Sequence, residues 1–153
     1  MSVVLSSQAV CTTCGSANRI PADKLAAAAK CGRCGVPLGL DAPAEIDDRQ
    51  LKQVLEKSSG LVLLDVWAPW CGPCRAMAPQ FAAAAKLLAG QARLVKLNAD
   101  HSQMVQSFGV SGIPALILFR DGRIIDRKAG LMKADALAAW VRNHVRSSDK
   151  SAI

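Results

Sequence analysis

Long apolar stretches are missing from this chain of 153 residues. Its longest apolar runs, residues 61–64 and 113–119, have the length of strands, whereas a membrane-spanning helix needs about 18 such residues. Residues 1–10 also lack the basic start and the extended apolar run of a secretory signal. These absences predict a cytoplasmic protein with no membrane partner.

Clusters of basic residues are also missing, although the formal net charge is +7. No run of lysine and arginine exceeds two residues, and residues 1–40 contain no aromatic side chain. A surface that binds nucleic acid would combine basic and aromatic residues. The sequence therefore favours a dispersed, solvated basic surface, and we expect no nucleic-acid partner.

Isolated cysteines are absent as well, because all 6 cysteines occur in Cys-x-x-Cys pairs. The pairs are Cys11 with Cys14, Cys31 with Cys34, and Cys71 with Cys74. Structural disulfides are rare in a reducing cytoplasm. The same spacing serves metal binding and thiol–disulfide exchange, so the surroundings of each pair must decide its function.

The first two pairs have the spacing of a metal site. Sixteen residues separate Cys14 from Cys31, and two Cys-x-x-Cys units with a spacer of about 15–20 residues are typical of zinc sites. Each pair makes a tight turn that directs two sulfurs to one centre, and the turns predict positive φ at Gly15, Gly32 and Gly35. We predict one structural zinc, with iron as the chemical alternative because it accepts the same ligands. The predicted ligands are Cys11, Cys14, Cys31 and Cys34.

Helical and strand patterns alternate in the longer, C-terminal part of the chain, whereas residues 11–39 hold little bulky apolar material. A short helix is predicted over 22–30, and residues 40–47 resemble a linker. The later predicted elements are a helix over 47–59, a strand over 61–68, a helix over 71–88, a strand over 93–100, a helix over 101–109, strands over 114–120 and 123–129, and a helix over 133–146. This order predicts an α/β fold with a mixed central sheet flanked by helices.

The third cysteine pair lies between a predicted buried strand and a predicted helix, which is the setting of a redox motif. Cys71 would begin the helix, where free N–H groups lower a thiol pKa, and Cys74 follows one turn later. Asp65 lies in the preceding strand between apolar neighbours, so its pKa should be raised and it can accept a proton. Lys96, on the next strand, would tune that carboxyl electrostatically.

Several segments, in order, resemble the thioredoxin family: LLDVWAPWCGPC, RAMAP, VKLNAD, VSGIPALILFRDG and a glycine before the last helix. The resemblance covers about residues 45–146. With the two cysteine pairs in front, the whole chain is similar to the zinc-containing thioredoxin 2 group of bacteria. The resemblance implies a thioredoxin fold with a small N-terminal zinc-ribbon-like domain, divided as a four-cysteine ribbon over 1–40 and a thioredoxin domain over 45–148.

The resemblance also implies a role for each residue of the redox site. Cys71 is the nucleophile and Cys74 the resolving thiol, while Asp65 is the buried proton acceptor with Lys96 as its neighbour. Pro114 is expected in the cis form. The surface that receives substrate backbones is expected to comprise Trp70, Gly72, Pro73, Ile113, Pro114 and Gly130.

The implied activity is the reduction of protein disulfides, because Gly72-Pro73 is the dipeptide of reducing thioredoxins rather than of their oxidising relatives. An NADPH-dependent thioredoxin reductase would supply the electrons, disulfide-bearing proteins would be the clients, no organic cofactor would be bound, and the chain is expected to be a monomer. Two alternatives stay open. One is a zinc-linked redox sensor or chaperone, whose thiolates release the metal on oxidation; the other is a nucleic-acid-binding zinc ribbon fused to a thioredoxin domain.

Overall fold

The computed structural model describes residues 7–21 and 28–145. Most of the helix predicted over 22–30, and the tail from residue 147 onward, lie outside the described residues. Within the described ranges, none of the helices combines the length and the apolar character needed to cross a lipid bilayer.

The N-terminal segment forms a small unit of its own. β1 (Ser7–Val10) pairs antiparallel with β2 (Ala17–Ile20), and each of the first two cysteine pairs occupies a turn. In these turns a glycine N–H donates to the carbonyl of the first cysteine, over 2.8 Å at Gly15 and 2.9 Å at Gly35. The described residues of this unit enclose few apolar side chains, so a segment of this size needs a further source of stability.

A five-stranded mixed sheet forms the centre of the longer part of the chain. Its strands are β3 (Ala44–Ile46), β4 (Leu61–Trp67), β5 (Ala92–Asn98), β6 (Ala115–Arg120) and β7 (Arg123–Ala129). The order across the sheet is β3-β5-β4-β6-β7; the first three of these are parallel, and β6 and β7 each run antiparallel to their neighbours. Residues 61–66 of the central strand are all buried, as expected of a strand covered on both faces.

Helices cover both faces of this sheet. Within residues 7–21 and 28–145 these helices are α1 (Asp48–Lys57), α2 (Gly72–Leu87) and α3 (Ala134–Arg142). On one face Leu51 of α1 packs in a core with Val62 of β4. On the other face Phe81 of α2 and Leu137 of α3 pack with Leu63. The predicted mixed sheet flanked by helices is therefore confirmed.

Two of the predicted elements are wrong. Residues 40–47 are not a plain linker, because Ala44–Ile46 form the edge strand β3, and three residues are too few to show an alternating pattern. The helix predicted over 101–109 is instead a pair of 3-10 turns, Ala99–His101 and Met104–Phe108. Where the two turns meet, the Asp48 carboxylate accepts the N–H groups of Gln103 and Met104 over 2.8 and 3.3 Å, and this contact interrupts a continuous helix.

A buried arginine docks the N-terminal unit on the sheet. Arg93 of β5 is 1% exposed. Its guanidinium donates to the carbonyl of Val10 over 2.7 Å and to that of Leu38 over 3.4 Å. Nearby, the Lys57 ammonium of α1 donates to the Gly15 carbonyl over 3.2 Å. A buried cation is costly unless it is hydrogen-bonded, so these carbonyls hold the N-terminal unit in one position.

Candidate active site and metal centre

The third cysteine pair lies where β4 ends and α2 begins. Cys71 is the N-cap of α2, and its sulfur accepts the backbone N–H of Cys74 over 3.2 Å. The two cysteines are joined by a disulfide with Cα atoms 5.2 Å apart, and Gly72 and Pro73 between them are exposed. Free N–H groups and the positive end of the helix dipole face the Cys71 sulfur, an arrangement that stabilises a thiolate once the disulfide is reduced.

The predicted substrate-binding residues surround this pair. Trp70 is 67% exposed, and its indole N–H donates to both carboxylate oxygens of Asp100, each over 3.1 Å. The Ile113 carbonyl oxygen lies 3.8 Å from the sulfur of the N-cap cysteine, and the Ile113–Pro114 peptide bond is cis, as expected. The Gly130 N–H donates to the Pro114 carbonyl over 2.9 Å, which joins the start of β6 to the end of β7.

A buried carboxyl lies in the strand that leads to the cysteines. Asp65 is 0% exposed, and neither carboxylate oxygen has a hydrogen-bond partner among the described residues. Burial raises the pKa of Asp65 to about 7, a rise that the Lys96 ammonium opposes and the Glu45 carboxylate supports. The raised pKa expected from apolar strand neighbours is therefore confirmed, whereas the role of Asp65 as a proton acceptor stays a prediction.

Asp65→Asn is expected to stabilise the folded protein above neutral pH. An aspartate in an unfolded chain has a pKa of about 3.9, whereas Asp65 has a folded-state pKa of about 7, so folding favours its protonated form. Ionisation of Asp65 therefore costs the wild-type protein about 4 kcal/mol of stability as the pH rises from about 4 through 7, and the asparagine variant lacks this loss. Denaturant titrations should show equal free energies of unfolding near pH 4 and a more stable variant at pH 8.

Glu56→Gln is the matched control for this prediction. Glu56 is exposed on α1, so the pH dependence of its variant should follow that of the wild-type protein. If Asp65→Asn and the wild-type protein are equally stable at pH 8, the raised pKa of Asp65 is wrong.

The first two cysteine pairs bring four sulfurs to one point. All four Sγ atoms lie within 4.8 Å of one another. The sulfurs of Cys11 and Cys34 are 3.7 Å apart, and those of Cys14 and Cys31 are 3.6 Å apart. Zinc bonds thiolates at about 2.3 Å, which places the sulfurs of a tetrahedral site about 3.8 Å from each other. The donor set therefore fits one four-coordinate ion of the zinc or iron type.

Nearby donors favour the thiolate form of one ligand in this cluster, Cys31. The backbone N–H groups of Cys34 and Arg33 and the side-chain amide of Asn18 together lower the pKa of Cys31 to about 6, against the opposing effect of burial. The Arg33 nitrogen is 3.4 Å from the Cys31 sulfur, and the Asn18 amide nitrogen is 3.5 Å from it. A thiolate is the form that binds a metal ion.

The glycines beside the cysteines only partly follow the prediction. Gly15 and Gly35 have φ of 78° and 81°, as the tight turns require. Gly32 is not among the residues with positive φ, so that expectation was wrong. Its N–H instead donates to the side-chain oxygen of Asn18 over 2.9 Å, which links the second turn to β2.

Three residues near these sites were not identified from the sequence. Glu45 accepts the indole N–H of Trp67 over 3.0 Å, and Asp100 accepts that of Trp70. Arg93 reaches the N-terminal unit from β5. The position of a charged residue between the apolar Ala92 and Leu94 could have indicated that Arg93 has a structural role. No such signal marked Glu45, because its strand has only three residues.

Comparison with known proteins gives two family matches and several similar thioredoxins. The family model described as Thioredoxin matches residues 42–143, and the one described as Thioredoxin 2, N-terminal, matches residues 10–36. Thioredoxin C-3 of Corynebacterium nephridii is 34% identical over 133 residues, which cover 86% of this chain and 91% of that protein. The thioredoxin of Haemophilus influenzae is 37% identical over 101 residues, which cover 65% of this chain and 94% of that protein.

A solved structure is similar in the same region. A mutant thioredoxin from Halobacterium salinarum, in which one asparagine is replaced by glutamine, superposes with a TM-score of 0.60 at 32% identity, and the match covers 70% of this chain and 94% of that one. The mixed sheet and the helix that starts at the third cysteine pair are thus those of the thioredoxin fold. The chain belongs to the thioredoxin family of disulfide oxidoreductases and carries the four-cysteine zinc ribbon found at the N-terminus of thioredoxin 2.

Proposed function

We propose that this protein reduces disulfide bonds in other proteins through the Cys71–Cys74 pair, and that its N-terminal ribbon holds one structural zinc ion. The observation that carries the proposal is the position of the pair. Cys71 caps α2 and is bonded to Cys74, within a surface that includes the exposed Trp70. The buried Asp65, which has a raised pKa, lies on the strand just before them.

The reaction begins with the reduced protein. The Cys71 thiolate attacks one sulfur of a client disulfide, so a Cys71–client S–S bond forms and the other client sulfur leaves as a thiolate. Asp65 accepts the proton of Cys74, and the resulting thiolate attacks the Cys71 sulfur. The mixed disulfide breaks, the second client thiolate leaves, and two electrons have passed from the protein dithiol to the client.

The surface around Cys71 would receive the client backbone. Cys71 and Cys74 are only 5% and 3% exposed in the disulfide form, so a client must approach closely to react. In this proposal Lys96 modulates Asp65 and takes no direct part in sulfur exchange. The residues proposed to contact the client are Trp70, Gly72, Pro73, Ile113, Pro114 and Gly130.

The zinc is proposed to be structural because four protein ligands complete its coordination and leave no open position for a substrate. We propose the ribbon over residues 1–40 and the thioredoxin domain over 45–148, a division supported by the separate two-stranded and five-stranded sheets. An NADPH-dependent thioredoxin reductase would return the electrons, and the protein would act as a monomer in the cytoplasm without an organic cofactor. Membership of the thioredoxin family supports the reductase as the electron source.

Trapping a mixed disulfide tests the assignment of the two cysteines. Reduced Cys74→Ser, mixed with oxidised insulin, is expected to accumulate a covalent adduct on Cys71, because the thiol that would resolve it is missing. Non-reducing gels and peptide mass spectrometry would identify the linkage. The double variant Cys71→Ser/Cys74→Ser is the control and should form no adduct. An adduct that accumulates on Cys71→Ser instead would reverse the two roles.

A further inference from the structure

Glu45 lies beside the proposed redox site but takes no part in the reaction described above. It is the middle residue of the edge strand β3, and its side chain is exposed. In the sheet register Glu45 pairs with Lys96, and Lys96 pairs with Asp65. Neighbouring strands are about 4.8 Å apart, so these three charged residues form a row across β3, β5 and β4.

Trp67 contacts two members of this row, Glu45 and Lys96. Its indole N–H donates to Glu45 Oε2 over 3.0 Å. The Lys96 ammonium lies 4.9 Å from the centroid of the same indole, within the range of a cation–π contact. The ammonium is therefore held on the Trp67 ring, while both oxygens of Asp65 lack a hydrogen-bond partner in the described part of the chain.

We propose that Glu45 is a positioning residue, which anchors Trp67 and so keeps the Lys96 ammonium from pairing with Asp65. This inference rests on the proposed function, in which Asp65 accepts the Cys74 proton. A carboxylate that pairs with an ammonium is held in its ionised form and becomes a weaker base. The contact of Glu45 with Trp67 thus preserves the ability of Asp65 to take a proton.

Among the described residues, Lys96 and Glu45 are the charged groups that shift the titration of the Asp65 carboxyl. On the opposite side of Asp65, β6 presents Leu116 in register, which carries no charge. The start of α2 contributes Cys71 and Cys74, which do not titrate while they form a disulfide. The oxidised protein is therefore the right sample for the test, because Lys96 and Glu45 are then the charged groups that act on the Asp65 carboxyl.

The titration of Asp65 tests the proposal directly. In oxidised protein at low ionic strength, the carboxyl ¹³C shift of Asp65 would be followed by NMR against pH. Glu45→Ala removes both the charge and the acceptor for Trp67, and we expect the midpoint to fall on the order of a few tenths of a pH unit. The Trp67 indole N–H resonance should move in the same variant, because it loses its hydrogen bond.

The effect must depend on Lys96 if Glu45 acts through it. In a Lys96→Met background, Glu45→Ala should keep only the direct repulsion between the two carboxylates, so the fall of the Asp65 midpoint should be clearly smaller. Glu56→Gln, which removes an exposed carboxylate elsewhere, is the control and should leave the midpoint unchanged. An unmoved midpoint in Glu45→Ala, or an equal fall with and without Lys96, would overturn the proposal. The titration does not use client reduction, so its outcome is independent of the insulin-trapping result.

Discussion

Replacing Cys71 by serine is expected to lower the rate of protein-disulfide reduction by about 10³-fold or more, because a hydroxyl at this position cannot supply the attacking thiolate. Cys71 caps α2, and its sulfur accepts the Cys74 N–H over 3.2 Å, so the helix start acts on this sulfur. Serine can make the same capping contact, which leaves the fold intact. The measurement is insulin reduction, followed by turbidity with dithiothreitol or a thioredoxin reductase as the electron source.

Ala76→Ser is the matched control for this experiment. It adds a hydroxyl to an exposed position of the same helix, away from the sulfurs, and should keep the wild-type rate. Thermal unfolding of Cys71→Ser beside the reduced wild-type protein would show that the variant is folded. Retention of activity within a few-fold of the wild-type protein would mean that another group attacks the client disulfide.

The parts of the fold that could be predicted are those that leave a long or chemically specific pattern. β4 is apolar apart from Asp65 because helices cover both faces of the sheet, so it lacks the alternating pattern of a surface strand. The spacing of Cys11, Cys14, Cys31 and Cys34 directs four sulfurs to one centre, so the cluster follows from the sequence. The raised pKa of Asp65 also followed, because the residues two positions away on the same strand are apolar.

The parts that could not be predicted depend on contacts between segments distant in sequence. β3 exists because Ala44–Ile46 pair with β5, about fifty residues further on, and nothing within those three residues requires a strand. The contact of Asp48 with Gln103 and Met104 divides the region after β5 into two 3-10 turns. The burial of Arg93 depends on the carbonyl of Val10, which only the folded structure brings close.

Removal of the metal is expected to unfold the N-terminal ribbon while the thioredoxin domain stays folded. The part of the ribbon that the structure describes encloses few apolar side chains, whereas a zinc site with four cysteine ligands contributes on the order of 10 kcal/mol of folding free energy at neutral pH. Cys11 is 1% exposed, so Cys11→Ser removes a ligand from the interior of the cluster. Purified wild-type protein should contain about one zinc per chain, and Cys11→Ser should contain almost none.

Amide hydrogen exchange would show where the protein unfolds when the zinc is lost. Protection at Cys31 and Leu38 should be lost in Cys11→Ser, because their N–H groups donate to the carbonyls of Val36 and Ala29 within the ribbon. The buried residues of β4, enclosed by helices on both faces, should stay protected. Unfolding of the ribbon would expose the Arg93 guanidinium to water. The loss of amide protection should therefore reach the residues of β5 around Arg93 but not the rest of the sheet.

Ser16→Ala is the matched control, since Ser16 lies beside the cluster but is not one of its ligands. Full protection of Leu38 in zinc-free Cys11→Ser would mean that packing against the sheet, and not the metal, holds the ribbon together.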